Sequence, residues 1–183
     1  VEFPLSLMGR DLLIGSTVSG ITDNRFMSVG EKHRAPMQVT FVLDGKNVSM
    51  CKRRFDLSAE GSQMQEALRR NTLLGVMSNF EIKAYSPDST AVVMDMTDFF
   101  MGNTAELNPF PSRSSSDPVR VSHSFKSNLS KLLDIKAFDD NVSIKSRLAY
   151  SVTMSNTAKR VTYLNDAPFT VEVTRSIMLL PET

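Results

Sequence analysis

Alternation of apolar and polar residues, interrupted by turn-forming clusters, constrains this chain most, because a period of two belongs to strands and not to helices. Val39, Phe41 and Leu43 share one face, Asp44-Gly45 supplies the positive-φ positions of a tight turn, and Val48 and Met50 resume the pattern. Phe80, Ile82 and Ala84 alternate with Glu81, Lys83 and Tyr85; the turn is Ser86-Pro87-Asp88-Ser89, and Val92, Met94 and Met96 return. A longer pair sets Val142, Ile144, Leu148, Tyr150, Val152 and Met154 against Phe169, Val171, Val173, Ile177 and Leu179. Leu12 to Ile21 reads as an early strand. Three hairpins imply an antiparallel sheet.

Helical signals are few. Ser62 followed by Gln65 resembles a capping box, and Met64, Ala67 and Leu68 give one apolar face from Gln63 to Asn71. Phe125, Leu129 and Leu132 mark a second short helix beginning near Ser124. The expected fold is therefore α+β and predominantly antiparallel β, a sandwich-like or curved sheet with two short helices covering it. With 183 residues, a single domain over 1–183 is expected, and folding hides roughly 70% of the unfolded surface without any covalent staple. Cys51 is the one cysteine, so no disulfide forms within the chain. Residues 103–118, with Pro109, Pro111 and Pro118 around Ser114-Ser115-Ser116, predict a long Ser/Pro-rich surface loop of the kind that is usually functional or mobile.

Two histidines, one cysteine and no tryptophan leave little material for a metal site or a histidine-based catalytic engine. A zincin helix sets two histidines four apart with a glutamate between them. His33 and His123 lie far apart in the sequence, and neither sits in such a motif. There is no Gly-x-Ser-x-Gly elbow, phosphate loop or Gly-x-Gly-x-x-Gly turn, and Cys51 reads as strand packing. Carboxylate pairs such as Asp139-Asp140 and Asp95 with Asp98 become a glycosidase pair only by their separation in space. No catalytic, metal or cofactor-binding residue is therefore expected, and the chain reads as non-enzymatic.

A net charge of +1 gives no field that would gather nucleic acid. The Lys52-Arg53-Arg54 run has only Phe55 beside it and reads as a solvated strand end. The charged loop from Arg25 to Arg34 supplies the candidate partner contacts, Arg25, Glu31, Lys32, His33 and Arg34. No stretch approaches the roughly 18 apolar residues of a membrane span, and the start of the chain has no signal-peptide pattern. Opening on Val1, the chain reads as a segment of a longer precursor. The sequons at Asn47, Asn128 and Asn141 are close to chance frequency, and the eleven methionines read as core filling.

Several segments, taken in order, resemble one family. Phe3 to Leu13 carries the opening turn Leu7-Met8-Gly9-Arg10-Asp11; Phe80 to Tyr85 and Asp88 to Phe100 look like its central hairpin; Ser124-Phe125, Ile135 to Ile144 and Ser176 to Glu182 resemble its closing segments. That family is the domain of unknown function found just before the catalytic domain in large bacterial zinc-dependent metalloproteases of the metzincin type. The resemblance covers residues 3 to 182, although Asn24 to Val29 has no glycine where the family is often glycine-rich. It implies a secreted or periplasmic parent protein, with zinc held only in a downstream domain by a His-Glu-x-x-His helix beyond Thr183. This chain would then be an accessory domain that packs against that catalytic domain or presents protein or peptide substrate to it. The rival expectations are a free-standing glycan- or peptide-binding module, for which the aromatics are Tyr85, Tyr150 and Tyr163, and a hydrolase using a carboxylate pair.

Overall fold

The hairpins expected from the alternation are present in the computed structural model, which describes residues 1–25, 27–53 and 73–181. Strand β1 spans Glu2–Pro4 and β2 spans Asp11–Ile21; β3 (Met37–Asp44) and β4 (Asn47–Lys52) form the first hairpin, and β5 (Gly75–Tyr85) and β6 (Ala91–Met94) the second. The helix α1 (Thr97–Met101) follows, then β7 (Val119–Phe125), β8 (Lys131–Ala137) and the long pair β9 (Asn141–Asn156) and β10 (Val161–Leu179). Asp44 pairs with Asn47, so the first turn is Gly45-Lys46 and not Asp44-Gly45. Gly45 alone takes the positive φ there, at 60°, where a Cβ would be strained.

By contacts the chain divides into two compact units. The first comprises Val1–Ile14, Met37–Met96 and Met178–Thr183, and the second Gly15–Pro36 and Thr97–Ile177. In the first the strand order is β1-β6-β5-β4-β3-β2, with antiparallel pairing between each neighbouring pair. Its core is built on Val39, Phe41, Val48, Met50, Val92 and Met94, with Cys51, and the hydroxyl side chains of Thr40, Ser49 and Ser86 are buried as well. The Phe41 ring lies 4.8 Å from Phe3 and 6.5 Å from Phe80. Burial pushes the Cys51 thiol pKa up, with Asp44 adding to it, which keeps the sulfur protonated and inert. Just past the end of β4, the Arg53 side chain is solvated and also paired: its Nε donates to Asp11 Oδ1 at 2.7 Å, and Gln38 Nε2 donates to the other oxygen at 2.8 Å.

In the second unit the order runs from β2 through β10 and β9 to β7, with β8 also on β9. Its core packs Val18, Leu148, Tyr150, Val152, Met154, Phe169, Val171 and Val173 with Met27 and Phe110. The fold is mostly antiparallel β, and the described residues contain one α-helix and two single 3₁₀ turns. The helix expected from Ser124 on Phe125, Leu129 and Leu132 is not formed. Val119–Phe125 pairs with β9 through residues Tyr150 to Asn156, Ser127–Leu129 is a 3₁₀ turn, and Leu132 lies in β8. Pairing along β9 outweighs a one-turn amphipathic pattern, because three residues at helical spacing also fit alternation across a break. The helix expected at Gln63 to Asn71 lies outside the described residues. The helix α1 was not anticipated; it ends at Gly102, where a Cβ would stand 2.7 Å from the Asp98 carbonyl oxygen.

Candidate functional site

The alternation of β10 puts Phe169, Val171, Val173 and then Arg175 on the buried face. Arg175 is 0% exposed, and burial lowers its pKa to about 10, still far enough above neutrality to keep the guanidinium charged. It donates from Nη1 to the Phe100 carbonyl at 2.5 Å and from Nη2 to the Leu107 carbonyl at 3.2 Å. Ser146 Oγ also donates to Phe100 O, at 3.2 Å, so a C-terminal helix carbonyl that the helix cannot satisfy acquires a cation and a hydroxyl. Tyr150, whose phenol is pushed up by burial, donates to Asn103 Oδ1 at 3.1 Å.

These contacts pin the start of the expected 103–118 loop. Asn108 Nδ2 donates to Asn103 Oδ1 at 3.2 Å, and Asn108 Oδ1 accepts the Phe110 N–H at 2.8 Å. Leu107 and Phe110 drop into the core. Further on, Arg113 donates to Asp117 Oδ2 at 2.8 Å, while Asp117 Oδ1 accepts the Val119 N–H at 2.8 Å. Those hydrogen bonds, with Arg113 beside it, hold the Asp117 carboxyl below its usual pKa. Arg120 reaches back to the carbonyls of Ser115, at 2.9 Å, and Asp117. Proline and serine content therefore marks a segment fastened by side chains to backbone, in place of a regular element.

Between this segment and β7 lies a cleft of about 390 Å³, whose lining includes Phe110, Arg113, Val119, Arg120, Val121 and His123. The His123 ring stacks on Phe110 at 4.1 Å with 8° between planes, and its buried Nδ1 has no hydrogen-bond partner. Burial first, and then the charge of Arg34, lower the His123 pKa, so the ring is neutral at neutral pH.

The hydrogen-bond phase of β7 follows from its ends. Lys126 N–H donates to the Ala149 carbonyl at 2.9 Å, and Thr157 N–H donates to the Pro118 carbonyl at 2.9 Å. Both pairs share the register in which Ser122 faces Thr153 and Ser124 faces Ser151. In an antiparallel ladder hydrogen-bonded and non-hydrogen-bonded pairs alternate, so Arg120, Ser122 and Ser124 bond to β9. The N–H and C=O of Val121 and His123 point the other way, and β7 ends the strand order. Val119 also points outward, and its N–H is the one taken by Asp117. Among the described residues nothing pairs with Val121 or His123 on that side.

Beyond Phe125 the edge breaks. Ala149 N–H donates to Ser130 Oγ at 3.0 Å, and the same hydroxyl donates to Lys126 O at 2.9 Å. The serine thus relays the bond that would complete the Lys126/Ala149 pair and lets the chain step through its 3₁₀ turn into β8.

The five candidate partner contacts are only partly brought together. Glu31 Oε2 accepts the Ser28 N–H at 2.9 Å and lies 2.8 Å from His33 Nε2, at an angle off a hydrogen bond. Arg34 donates to the carbonyls of Ala105 and His33 at 3.0 Å and to Ser112 Oγ at 3.1 Å, which ties that stretch to the Ser/Pro segment. Lys32 is exposed. Arg25 stands apart, paired with Asp23 and 3.3 Å from the Tyr163 carbonyl oxygen. Sequence reasoning missed Arg113, Arg120 and Arg175; for Arg175 the signal was its parity with Val171 and Val173. Among the described residues no group of three or more His, Cys, Asp or Glu is arranged to hold a metal ion, and no helix is long and apolar enough to cross a membrane.

Fold and site together define a mostly antiparallel β protein that carries an open strand edge beside a polar-rimmed cleft. The chain belongs to the family described as the domain of unknown function DUF5117, which it matches over residues 30–183. No curated protein and no solved structure matches it.

Proposed function

We propose that this chain is a non-catalytic accessory domain that grips extended polypeptide, serving a secreted or periplasmic zinc-dependent metallopeptidase of the metzincin type. In this reading it packs against the catalytic domain of the same polypeptide or presents substrate to it. The observation that carries the binding role is the outer edge of β7, where Val121 and His123 leave two donors and two acceptors unpaired among the described residues, beside a cleft that can receive a side chain. The peptidase setting is supported by the end-to-end resemblance over residues 3 to 182. Zinc belongs to the downstream domain in this account, and this chain holds none.

The test is zinc content and peptidase turnover of the purified 183-residue chain. Neither stoichiometric zinc nor turnover is expected. One equivalent of zinc, or turnover lost in His33→Ala or His123→Ala, overturns the reading, as does a reading frame past Thr183 without His-Glu-x-x-His. A free-standing glycan-binding module is the second reading, favoured by the exposure of Tyr85 and Tyr163. Glycan-array binding lost on changing either tyrosine would promote it.

A further inference from the structure

We infer that the β7 edge selects an acidic extended segment, one that adds as a strand alongside Val121 and His123 and seats a carboxylate side chain in the cleft rimmed by Arg113 and Arg120. The inference rests on the polypeptide-gripping role proposed above and adds the chemistry of the occupant. A strand added beside β7 lies about 4.8 Å away and sends alternate side chains to the face on which Val119, Val121 and His123 line the cleft. The lining contains two guanidinium groups and no carboxylate. Asp117, the acid nearest in sequence, is spent: one oxygen accepts from Val119 N–H and the other from Arg113. Arg113 uses only Nη1 in that contact, so among the described residues its Nε and Nη2 donors remain for a second carboxylate.

Arg34, fastened to Ala105 and Ser112 on the same segment, adds a further positive charge, whereas His123 is neutral. A lysine or arginine side chain entering the cleft would meet like charges, and an uncharged one would give the Arg113 Nε and Nη2 donors no anionic acceptor, Arg120 being engaged by the carbonyls of Ser115 and Asp117. Backbone pairing supplies affinity irrespective of side chain, and the cleft supplies the preference.

The experiment uses the 183-residue chain and three fluorescein-labelled peptides of eight residues, alternating Thr and Val, with a central Glu, Gln or Lys. Binding is read by fluorescence anisotropy. The Glu peptide is expected to bind at least about tenfold more tightly than the Gln peptide, with the Lys peptide weakest. The Arg113→Gln/Arg120→Gln double variant should bring the Glu peptide to the Gln level. The Glu-to-Gln ratio on the unaltered protein should also shrink as salt is raised from about 0.05 to about 0.5 M, which decides the matter even if the double variant fails to fold.

Val121→Pro separates the two readings. The Val121 N–H lies outside the β7–β9 ladder, so proline is tolerated there while it removes an outward donor and blocks the added strand. Loss of all binding in Val121→Pro, with the Glu preference intact in the parent, supports both. Equal binding of Glu and Gln peptides, lost in Val121→Pro, overturns the acidic selectivity and leaves the edge reading standing. No binding of any peptide, or binding unaffected by Val121→Pro, overturns the edge reading itself.

Discussion

The two units differ in the polar groups they bury. The first fills its interior with Val39, Phe41, Val48, Met50, Val92 and Met94, and the polar side chains it buries, Thr40, Ser49 and Ser86, are uncharged hydroxyls. The second places Arg175, Ser146 and Ser130 in its interior alongside Val152 and Val171, and holds the His123 ring over Phe110. Apolar packing is non-directional and tolerates change of shape, whereas buried donors stabilise only the partners they were placed to meet. Among the polar contacts of the second unit, those of Tyr150 and Arg175 fix the irregular segment from Asn103 to Pro118 against strands, whereas Ser130 holds the break after β7. That segment forms one wall of the cleft and β7 forms the other.

The largest expected effect comes from removing volume in the first unit. Phe41→Ala should cost about 3–5 kcal/mol by urea unfolding, and Phe41→Leu under about 1.5 kcal/mol, because only the first leaves a cavity between Phe3 and Phe80. In the second unit, Arg175→Met keeps an apolar stem but leaves the Leu107 carbonyl without its donor. A loss of about 2–3 kcal/mol is expected, with faster amide exchange from Phe99 to Phe110. Arg175→Lys should recover less than half of that loss, since one ammonium cannot span the two carbonyls as the guanidinium does. A loss below about 0.5 kcal/mol in Arg175→Met would mean that the arginine does not organise the segment.

Smaller effects sharpen the picture. Ser130→Ala removes the relay between Ala149 and Lys126 and should cost about 1–2 kcal/mol. The smallest is a pH effect. Because the folded state disfavours the His123 imidazolium, the unfolded chain takes up the proton more readily. Stability from this group is complete above the ordinary histidine pKa of 6.5 and declines as pH falls from there through the lower folded value. Comparing urea midpoints at about pH 7.5 and about pH 5 should show a drop that is reduced in His123→Phe.

Much of the sheet was legible because alternation reports directly on one-sided burial. Phe80 with Val92 and Met94, and Tyr150 with Val152, announce their hairpins without any tertiary knowledge. The turn at Gly45 was readable to within one residue, since the dipeptide does not say whether Asp44 still pairs. What stayed hidden depends on distant partners. The segment after Ser124 carries both a helical and a strand signal, and the pairing available along β9 decides between them. Arg175 interrupts an apolar run and reads as a surface position until Phe100 and Leu107 supply carbonyls for it. Asn103 to Pro118 reads as loose because, beside local contacts such as Arg113 with Asp117, part of its fastening comes from Arg34, Tyr150 and Arg175, far away in sequence. The openness of β7 is a property of strand order, which hydropathy does not encode.

The central claim is that the outer backbone groups of Val121 and His123, unpaired among the described residues, receive polypeptide. Residue-resolved amide hydrogen exchange on the 183-residue chain tests it most directly. Without peptide, Val121 and His123 should exchange at least about tenfold faster than Ser122 and Ser124, whose N–H groups face β9, and adding the Glu-bearing peptide should slow the first pair and leave the second unchanged. Equal protection of all four amides without peptide, or no slowing of Val121 and His123 at saturating peptide, would contradict the account.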